Sequence, residues 1–225
     1  MFAKALLFDL DGVITDTARF HFLAWKELCD KFGFKFDIKD NERLKGVSRR
    51  RSLEIILEIN NVLNDFSETE KAKMESEKNK CYVNLIKTMT PDDILPGVMS
   101  FLEESKRNGL KMAVASASKN AFTVLDCLKL NNYFDYIADA TEIKNTKPNP
   151  EVFLNCAEAL GVSPRECIGI EDAQAGIEAI HAAGMFSVGI NVDVTSIEPE
   201  LNLASTKELN FNVIKKRYME LQQSK

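Results

Sequence analysis

Short runs of apolar residues alternate with helix-like segments along most of this chain, and this alternation constrains the fold more than any other feature. The apolar runs are typical of buried strands and cover residues 5–8, 110–115, 166–170 and 185–190. Helices are predicted between them, near 97–108, 120–130, 150–160 and 173–183. Strands that are apolar throughout belong to parallel sheets covered on both faces. The pattern therefore predicts an α/β fold with a Rossmann-like, doubly wound parallel sheet.

The segment 17–87 interrupts this alternation. Its first apolar residues recur at helical spacing and are followed by Gly33: Phe22, Trp25, Cys29 and Phe32. A second helix is predicted over 49–59, and a third from a capping box at Ser67 and Glu70 to about residue 88. Within the third helix, Glu and Lys are interspersed over 71–80, which indicates a solvated face. We expect an all-helical cap domain, 17–87, inserted into a core domain formed by 1–16 and 88–225.

Composition excludes several classes of partner. The net charge of −5 and the pI near 5.3 argue against a nucleic-acid or anionic-membrane partner. No apolar run approaches the length of a membrane span, and acidic residues near the N-terminus argue against a secretory segment. The five cysteines are widely spaced and never form Cys-x-x-Cys, which is typical of reduced thiols. These features predict a cytoplasmic protein, and nothing in them requires more than a monomer.

Two aspartates stand at the exit of the first predicted strand. Asp9 and Asp11 are separated by one residue, and Gly12 ends the strand. Residues i and i+2 of a strand share one face, so both carboxylates are expected together. Such a pair is costly at an apolar strand end unless a cation neutralises it or one carboxyl stays protonated. A magnesium ion shared with a phosphate is the simplest such cation, and a solvated turn rich in Asp is the alternative.

Polar residues also follow the other predicted strands, at the edge where open parallel sheets bind ligands. Residues 116–120 (Ser-Ala-Ser-Lys-Asn) follow the second strand, and Lys147 precedes the helix near 150. Glu171 and Asp172 follow a later strand, although capping of the next helix is an alternative role for this pair. For the serine and the lysine the alternative is an exposed polar residue. Four such motifs in order predict one site at this edge.

The four motifs resemble those of the haloacid dehalogenase superfamily of phosphotransferases. Longer stretches are similar to the β-phosphoglucomutase family within it: Asp9–Thr17, His21 with Trp25, Leu44–Arg49, Ser116–Asn120 and Gly169–Asp172. The resemblance spans the predicted core and cap and fades after about residue 190.

The resemblance implies a role for each motif. Asp9 is expected to be a nucleophile that forms an aspartyl phosphate, with Asp11 as general acid and base. Ser116 and Lys147 are expected to hold phosphoryl oxygens. The implied ligands of one Mg²⁺ per active site are Asp9, the backbone carbonyl of Asp11, Glu171 and Asp172.

A mutase must hold two phosphates at once, so a second anion site separates it from a phosphatase. Arg49 suits this site because a guanidinium binds phosphate bidentately; Arg50 and Arg51 are alternatives, as is a solvated basic helix start. His21 and Lys45 are implied to couple cap closure to the positioning of Asp11, whereas a structural role is the alternative for the histidine. The implied substrate-binding residues are Thr17, Trp25, Lys45, Gly46, Arg49, Ser116, Ala117, Ser118, Lys119 and Asn120.

The resemblance further implies the reaction. We expect interconversion of β-D-glucose 1-phosphate and D-glucose 6-phosphate through an aspartyl-phosphate enzyme and a β-glucose 1,6-bisphosphate intermediate. Glucose 1,6-bisphosphate is the implied priming phosphodonor. The alternatives are a magnesium-dependent sugar-phosphate phosphatase on the same scaffold and a non-catalytic binding module that kept the fold.

Overall fold

The computed structural model of this chain describes residues 2–44 and 48–223. The chain forms two compact units. One contains the residues up to Asp16 together with those from Met89 onward, and the other is Thr17–Thr88. None of the helices within the described ranges combines the length and the apolar character that crossing a bilayer needs.

The larger unit is built on a six-stranded sheet in the order β3-β2-β1-β4-β5-β6, with every neighbouring pair parallel. Its strands are β1 (Ala5–Phe8), β2 (Lys111–Val114), β3 (Tyr136–Ile137), β4 (Cys167–Glu171), β5 (Phe186–Ile190) and β6 (Leu201–Leu203). The chain passes outward from β1 to β3 and then returns to place β4 on the other side of β1. The strand order therefore reverses between β1 and β4, where open α/β sheets form a crevice at the carboxyl ends of their strands.

Helices cover both faces of this sheet. They are α5 (Val98–Arg107), α6 (Ala121–Cys127), α7 (Glu151–Leu160), α8 (Gln174–Ala182) and α9 (Phe211–Gln223), which follow the four helices of the smaller unit in the chain. Leu7 of β1 lies in a buried cluster with Phe153 of α7 and Ile180 of α8. The next residue, Phe8, points the other way and packs edge-on against Phe101 of α5, with ring centroids 6.1 Å apart. The predicted doubly wound α/β fold is confirmed.

The smaller unit contains helices α1 (Ala18–Phe32), α2 (Ile38–Glu42), α3 (Arg49–Ile59) and α4 (Glu68–Ile86). Helix α1 ends before Gly33, whose φ of 70° is the left-handed conformation that glycine adopts without strain. The capping box at the start of α4 is confirmed, since Ser67 Oγ accepts from the Glu70 N–H at 3.3 Å and Glu70 Oε2 accepts from the Ser67 N–H at 2.8 Å. A buried apolar cluster joins α1, α3 and α4, and includes Trp25, Leu53, Ile56 and Met74.

A polar cluster ties the C-terminal part of the sheet together. The Glu200 carboxylate accepts hydrogen bonds from the Ser187 N–H (2.7 Å) and Oγ–H (2.6 Å), and lies 3.0 Å from His181 Nε2. Although partial burial opposes ionisation, these contacts lower the pKa of Glu200 to about 2. The cluster joins α8, β5 and the segment before β6, which is a structural role for His181.

Candidate active site

Three carboxylates meet at the reversal of strand order. Asp9 follows β1 directly, and its N–H donates to the Ile170 carbonyl of β4 at 2.9 Å, which fixes the exit of β1 beside that of β4. Glu171 is the last residue of β4 and Asp172 comes next. One carboxylate oxygen from each of the three lies within 4.8 Å of the others. The sheet register therefore builds the cluster, and Asp9 and Glu171 in it are only 8% and 2% exposed.

Two glycines make room for these carboxylates. A Cβ on Gly12 would lie 2.0 Å from Asp172 Oδ2, and Gly12 has φ +76°, so only glycine fits that turn without strain. A Cβ on Gly176, in the first turns of α8, would lie 2.0 Å from Glu171 Cδ. The Asp172 and Glu171 carboxylates therefore lie directly against backbone.

Lys147 is the cation of this cluster. Its Nζ donates to Asp9 Oδ1 at 2.5 Å and to Glu171 Oε2 at 2.8 Å. Burial alone lowers the pKa of Lys147, but the two carboxylates outweigh it and raise that pKa above its usual range. The loop that carries Lys147 is held by Glu151 of α7, whose carboxylate accepts the N–H groups of Lys144 and Asn145 at 2.8 and 2.9 Å.

The cluster keeps an excess of negative charge. Burial, and secondly the charge of Asp9, raise the pKa of Glu171 to about 8 and that of Asp172 to about 7. Raised carboxyl pKa values mean that a further positive charge is favourable here. Hard carboxylate oxygens at this spacing suit Mg²⁺, so the residues present fit the expected ion.

The four predicted magnesium ligands occupy one strand edge, although their side chains do not all join the cluster. Asp9, Glu171 and Asp172 contribute carboxylates, whereas the Asp11 side chain is outside this group of described residues. Asp11 pairs with Thr15 in the turn after β1, and its charge contributes to the raised pKa of Asp172. Its expected contribution was a backbone carbonyl, which stays a prediction.

The loop after β2 begins at the same edge. Ala115 donates to the Phe8 carbonyl at 2.7 Å, so this loop leaves the sheet beside β1. Ser116 is 2% exposed, and its Oγ accepts the Ser118 N–H at 3.0 Å, which leaves the hydroxyl proton to be donated. Ala117, Ser118, Lys119 and Asn120 complete the loop before α6.

A basic and aromatic cluster lies in the helical unit. Lys78 Nζ of α4 lies 2.8 Å from His21 Nδ1 of α1 and stands over the rings of Trp25 (5.0 Å) and Tyr82 (4.9 Å). The His21 ring stacks on Tyr82 with centroids 4.1 Å apart, and the Tyr82 hydroxyl donates to Thr17 Oγ1 at 3.2 Å. The predicted residues Thr17, His21 and Trp25 are thus brought together around a lysine that the sequence interpretation missed.

Burial and neighbouring positive charge disfavour protonation in this cluster. Burial lowers the pKa of Lys78 to about 7, with a further contribution from Arg49. His21 keeps an exposed face, yet the packing around its ring, and then the charges of Lys78 and Arg49, lower its pKa to about 3. His21 is therefore neutral near pH 7. Because Nδ1 accepts from Lys78, we assign the ring proton to Nε2.

Lys78 corrects the prediction of a solvated face over 71–80. It is 2% exposed, and Met74 in the same stretch is 3% exposed. Met74 and Lys78 are one helical turn apart, at i and i+4, and lie on the side of α4 that packs against α1. The interspersed charges of this stretch gave no sign of the buried pair. The aromatic residues Trp25 and Tyr82 were the available signal, because aromatic faces accommodate a buried ammonium.

The contacts of the three consecutive arginines distinguish Arg49 from its neighbours. Arg50 pairs with Glu75 at 2.8 Å, and Arg51 pairs with Glu58 at 2.7 Å. Arg49 donates instead to a neutral amide, Asn79 Oδ1, at 2.8 Å. Throughout the described residues, neither Arg49 nor Lys78 has a carboxylate partner. Lys45 and Gly46, also predicted to bind substrate, lie outside the described residues.

Comparisons with known proteins agree with this geometry. Residues 3–184 match the family model described as haloacid dehalogenase-like hydrolase. The chain is 43% identical over 211 residues to β-phosphoglucomutase of Bacillus subtilis (strain 168), covering 94% of this chain and 93% of that protein. It is 33% identical to fructose-1-phosphate phosphatase YqaB of Escherichia coli (strain K12), covering 83% and 96% of the two chains.

A solved structure covers the whole fold. The crystal structure of β-phosphoglucomutase (pgmB) from Clostridium difficile superposes with a TM-score of 0.85 at 49% sequence identity, over 99% of this chain and 100% of that one. The strand exits, their acidic cluster and these similarities agree, and the chain belongs to the haloacid dehalogenase-like hydrolase family.

Proposed function

We propose that this chain is a magnesium-dependent β-phosphoglucomutase, which interconverts β-D-glucose 1-phosphate and D-glucose 6-phosphate. The observation that carries the proposal is the identity of 43% and 49%, over nearly the full chain, with two proteins of that name. The phosphatase relative is less similar and covers less of the chain. The site geometry supports phosphoryl transfer, which both reactions share.

Asp9 is the proposed nucleophile. One of its carboxylate oxygens attacks the phosphorus atom of the donor, the bond from phosphorus to the sugar oxygen breaks, and an aspartyl phosphate forms. Lys147 lies 2.5 Å from Asp9 Oδ1, so its charge opposes the repulsion between that carboxylate and the incoming phosphoryl oxygens. Ser116 supplies a buried hydroxyl proton for another of these oxygens.

Asp11 is the proposed general acid and base. In the first transfer it gives a proton to the departing sugar oxygen, and in the second it takes the proton from the attacking sugar hydroxyl. The proton count closes over the two transfers. The aspartyl phosphate links the two transfers. Its phosphoryl group passes to the 6-hydroxyl of β-glucose 1-phosphate and forms β-glucose 1,6-bisphosphate, which then returns its 1-phosphoryl group to Asp9 and leaves as D-glucose 6-phosphate. Glucose 1,6-bisphosphate supplies the first phosphoryl group.

One Mg²⁺ per active site, when bound, offsets the negative charge of the phosphoryl group and of the surrounding carboxylates. The residues that would hold it are Asp9, Glu171 and Asp172, with the backbone carbonyl of Asp11. Burial and the charge of Asp9 raise the pKa values of Glu171 and Asp172, so a nearby cation would favour the ionised form of both carboxyls. This supports the assignment.

We assign the second phosphate to Arg49, because its neighbours Arg50 and Arg51 are engaged by glutamates and Arg49 is not. Ser118, Lys119 and Asn120 remain the predicted partners of Arg49 in this role. Thr17, Trp25 and Ala117 stay predicted substrate contacts, as do Lys45 and Gly46. His21 keeps its predicted role in positioning Asp11, and its neutral ring has Nε2–H to donate.

Sugar-phosphate substrates, a reducing compartment and a monomeric form are the expected setting of the enzyme. Its substrates are small sugar phosphates, as the names of its relatives suggest. The five cysteines are free thiols, which supports a reducing cytoplasm. We retain a monomer as the working form.

Replacing Arg49 with alanine is the test of the second-phosphate site. We expect the KM for β-glucose 1-phosphate to rise about 10- to 150-fold, since charge-assisted hydrogen bonds to an anion contribute about 1.5–3 kcal/mol. Acetyl phosphate carries one phosphate and offers no second phosphate for Arg49 to bind. The rate of its hydrolysis should therefore change less than about threefold. Steady-state kinetics on both compounds measures the difference.

The matched control is Arg51→Ala, which removes the same charge from the same turn of α3 but breaks pairs with Glu54 and Glu58. Its KM should stay close to wild type. Equal losses on both compounds in Arg49→Ala, or equal effects of the two substitutions, would remove Arg49 from the proposed role and favour a phosphatase.

A further inference from the structure

The loop 191–200 between β5 and β6 is held to the start of α8 by one side chain. Gln174, the first residue of α8, donates from Nε2 to the Ile197 carbonyl at 3.0 Å. Its Oε1 accepts the Thr195 N–H, also at 3.0 Å. Both ends of the amide are therefore used, and the backbone they hold belongs to an exposed stretch of the loop.

The N-terminus of α8 needs such a contact. Its N-cap residue is Ala173, which has no side-chain oxygen to accept the first N–H groups of the helix. An uncapped helix start frays more readily than a capped one. Gln174 compensates by tying this start to a neighbouring loop.

The same helix start positions the acidic cluster. Asp172 lies two residues before Gln174, and the Glu171 side chain packs on the Cα of Gly176, where an added Cβ would lie 2.0 Å from Glu171 Cδ. Any displacement of the first turn of α8 therefore displaces these two carboxylates. Cation affinity depends on how well ligands are held before the ion arrives.

We propose that Gln174 is a positioning residue for the magnesium site, which it supports by anchoring the first turn of α8 to the loop 191–200. The inference rests on the proposed function in one respect, that the acidic cluster binds Mg²⁺. It gives the loop 191–200 a functional role, although no residue of the loop belongs to the acidic cluster.

A second contact between the same loop and the same helix supplies a control. The Ser196 hydroxyl donates to Glu178 Oε1, one helical turn beyond Gln174. Breaking this contact loosens the loop without releasing the first turn of α8. Gln174→Met and Ser196→Ala thus separate a general loosening of the loop from a loss of positioning.

The experiment is titration of metal-free protein with Mg²⁺ by isothermal calorimetry, for wild type, Gln174→Met and Ser196→Ala. We expect Gln174→Met to weaken Mg²⁺ binding about fivefold, less than the 10–100-fold typical of residues that bond directly to metal ligands. Ser196→Ala should bind Mg²⁺ within about twofold of wild type, because Gln174 still holds the helix start. Thermal unfolding of the metal-free proteins shows whether each variant is folded.

A further variant, Thr195→Pro, removes the N–H that Gln174 accepts and leaves Gln174 in place. We expect it to reproduce the weakened Mg²⁺ binding, and it provides the test if Gln174→Met does not fold. Wild-type affinity in the folded Gln174 and Thr195 variants would overturn the inference, as would an equal loss in Ser196→Ala. Wild-type protein that binds no Mg²⁺ would overturn the proposed function as well, so the two failures are distinguished.

Discussion

Replacing Asp9 with asparagine is expected to lower kcat/KM for the β-glucose 1-phosphate reaction at least about 10⁴-fold, the scale seen when a catalytic nucleophile is removed. Asparagine has nearly the same shape, but its amide cannot attack phosphorus to form an acyl phosphate. Intact-protein mass spectrometry after exposure to glucose 1,6-bisphosphate should show a phosphorylated form of the wild type and none of the variant.

The activity loss expected for Asp9→Asn should not arise from unfolding of the variant. Asp9 raises the pKa of both Glu171 and Asp172, so its neutralisation relieves repulsion among buried carboxylates while it removes one contact with Lys147. We expect the metal-free variant to unfold at a temperature no lower than wild type.

Glu166→Gln is the control for Asp9→Asn. Glu166 is a partly exposed acid that pairs with Lys4 at the opposite edge of the sheet, and its substitution should leave the rate unchanged. Retained turnover in Asp9→Asn would eliminate this nucleophile.

Replacing Lys147 with methionine is expected to lower kcat about 10²–10³-fold, the cost of losing a preorganised group that stabilises developing charge. The same substitution leaves the buried carboxylates of Asp9 and Glu171 without their ammonium partner. Breaking a buried ion pair in this way costs about 3–5 kcal/mol of unfolding free energy.

This loss of stability should depend on pH. A buried carboxyl whose folded pKa lies above its unfolded value binds more protons in the folded state, so stability falls as pH rises between the two values. The pKa of Glu171 is raised from 4.5 to about 8, and Lys147 opposes that rise. The difference between Lys147→Met and wild type should therefore grow as pH rises through about 8, where Glu171 of the wild type ionises beside the ammonium, and should be larger at pH 9.5 than at pH 6.

Urea unfolding of metal-free protein across this pH range measures the difference. Lys4→Met, which breaks the exposed pair with Glu166, should cost less than about 1 kcal/mol at any pH. A destabilisation of equal size at pH 6 and pH 9.5 would show that Lys147 does not act through the charge of Glu171.

The sequence was most informative where a pattern is local. Apolar runs placed β1, β2, β4 and β5 within one residue of their bounds, because a strand buried on both faces has a continuous apolar signature. Strand exits then indicated the acidic cluster, since parallel strands end at one edge. β3 and β6 were not predicted, because two and three residues give no periodicity to recognise.

What the sequence could not provide depends on long-range contacts. Lys78 in a charged helix was interpreted as solvent-exposed, and only the packing of α4 against α1 reveals that its ammonium lies over aromatic rings. Arg49 was favoured among three consecutive arginines from the sequence, and the glutamate partners of Arg50 and Arg51, which support that choice, are visible only in the fold. The contacts of Gln174 with the loop 191–200 join residues about twenty positions apart, with no motif to mark them.

The most direct test of the mutase assignment is the fate of the phosphoryl group of β-glucose 1-phosphate. Purified protein with Mg²⁺ and a trace of glucose 1,6-bisphosphate would be followed for glucose 6-phosphate and free phosphate together, with the α-anomer as control. We expect rapid formation of glucose 6-phosphate from the β-anomer alone, with little free phosphate. Release of free phosphate from either anomer without glucose 6-phosphate would contradict it and identify a phosphatase.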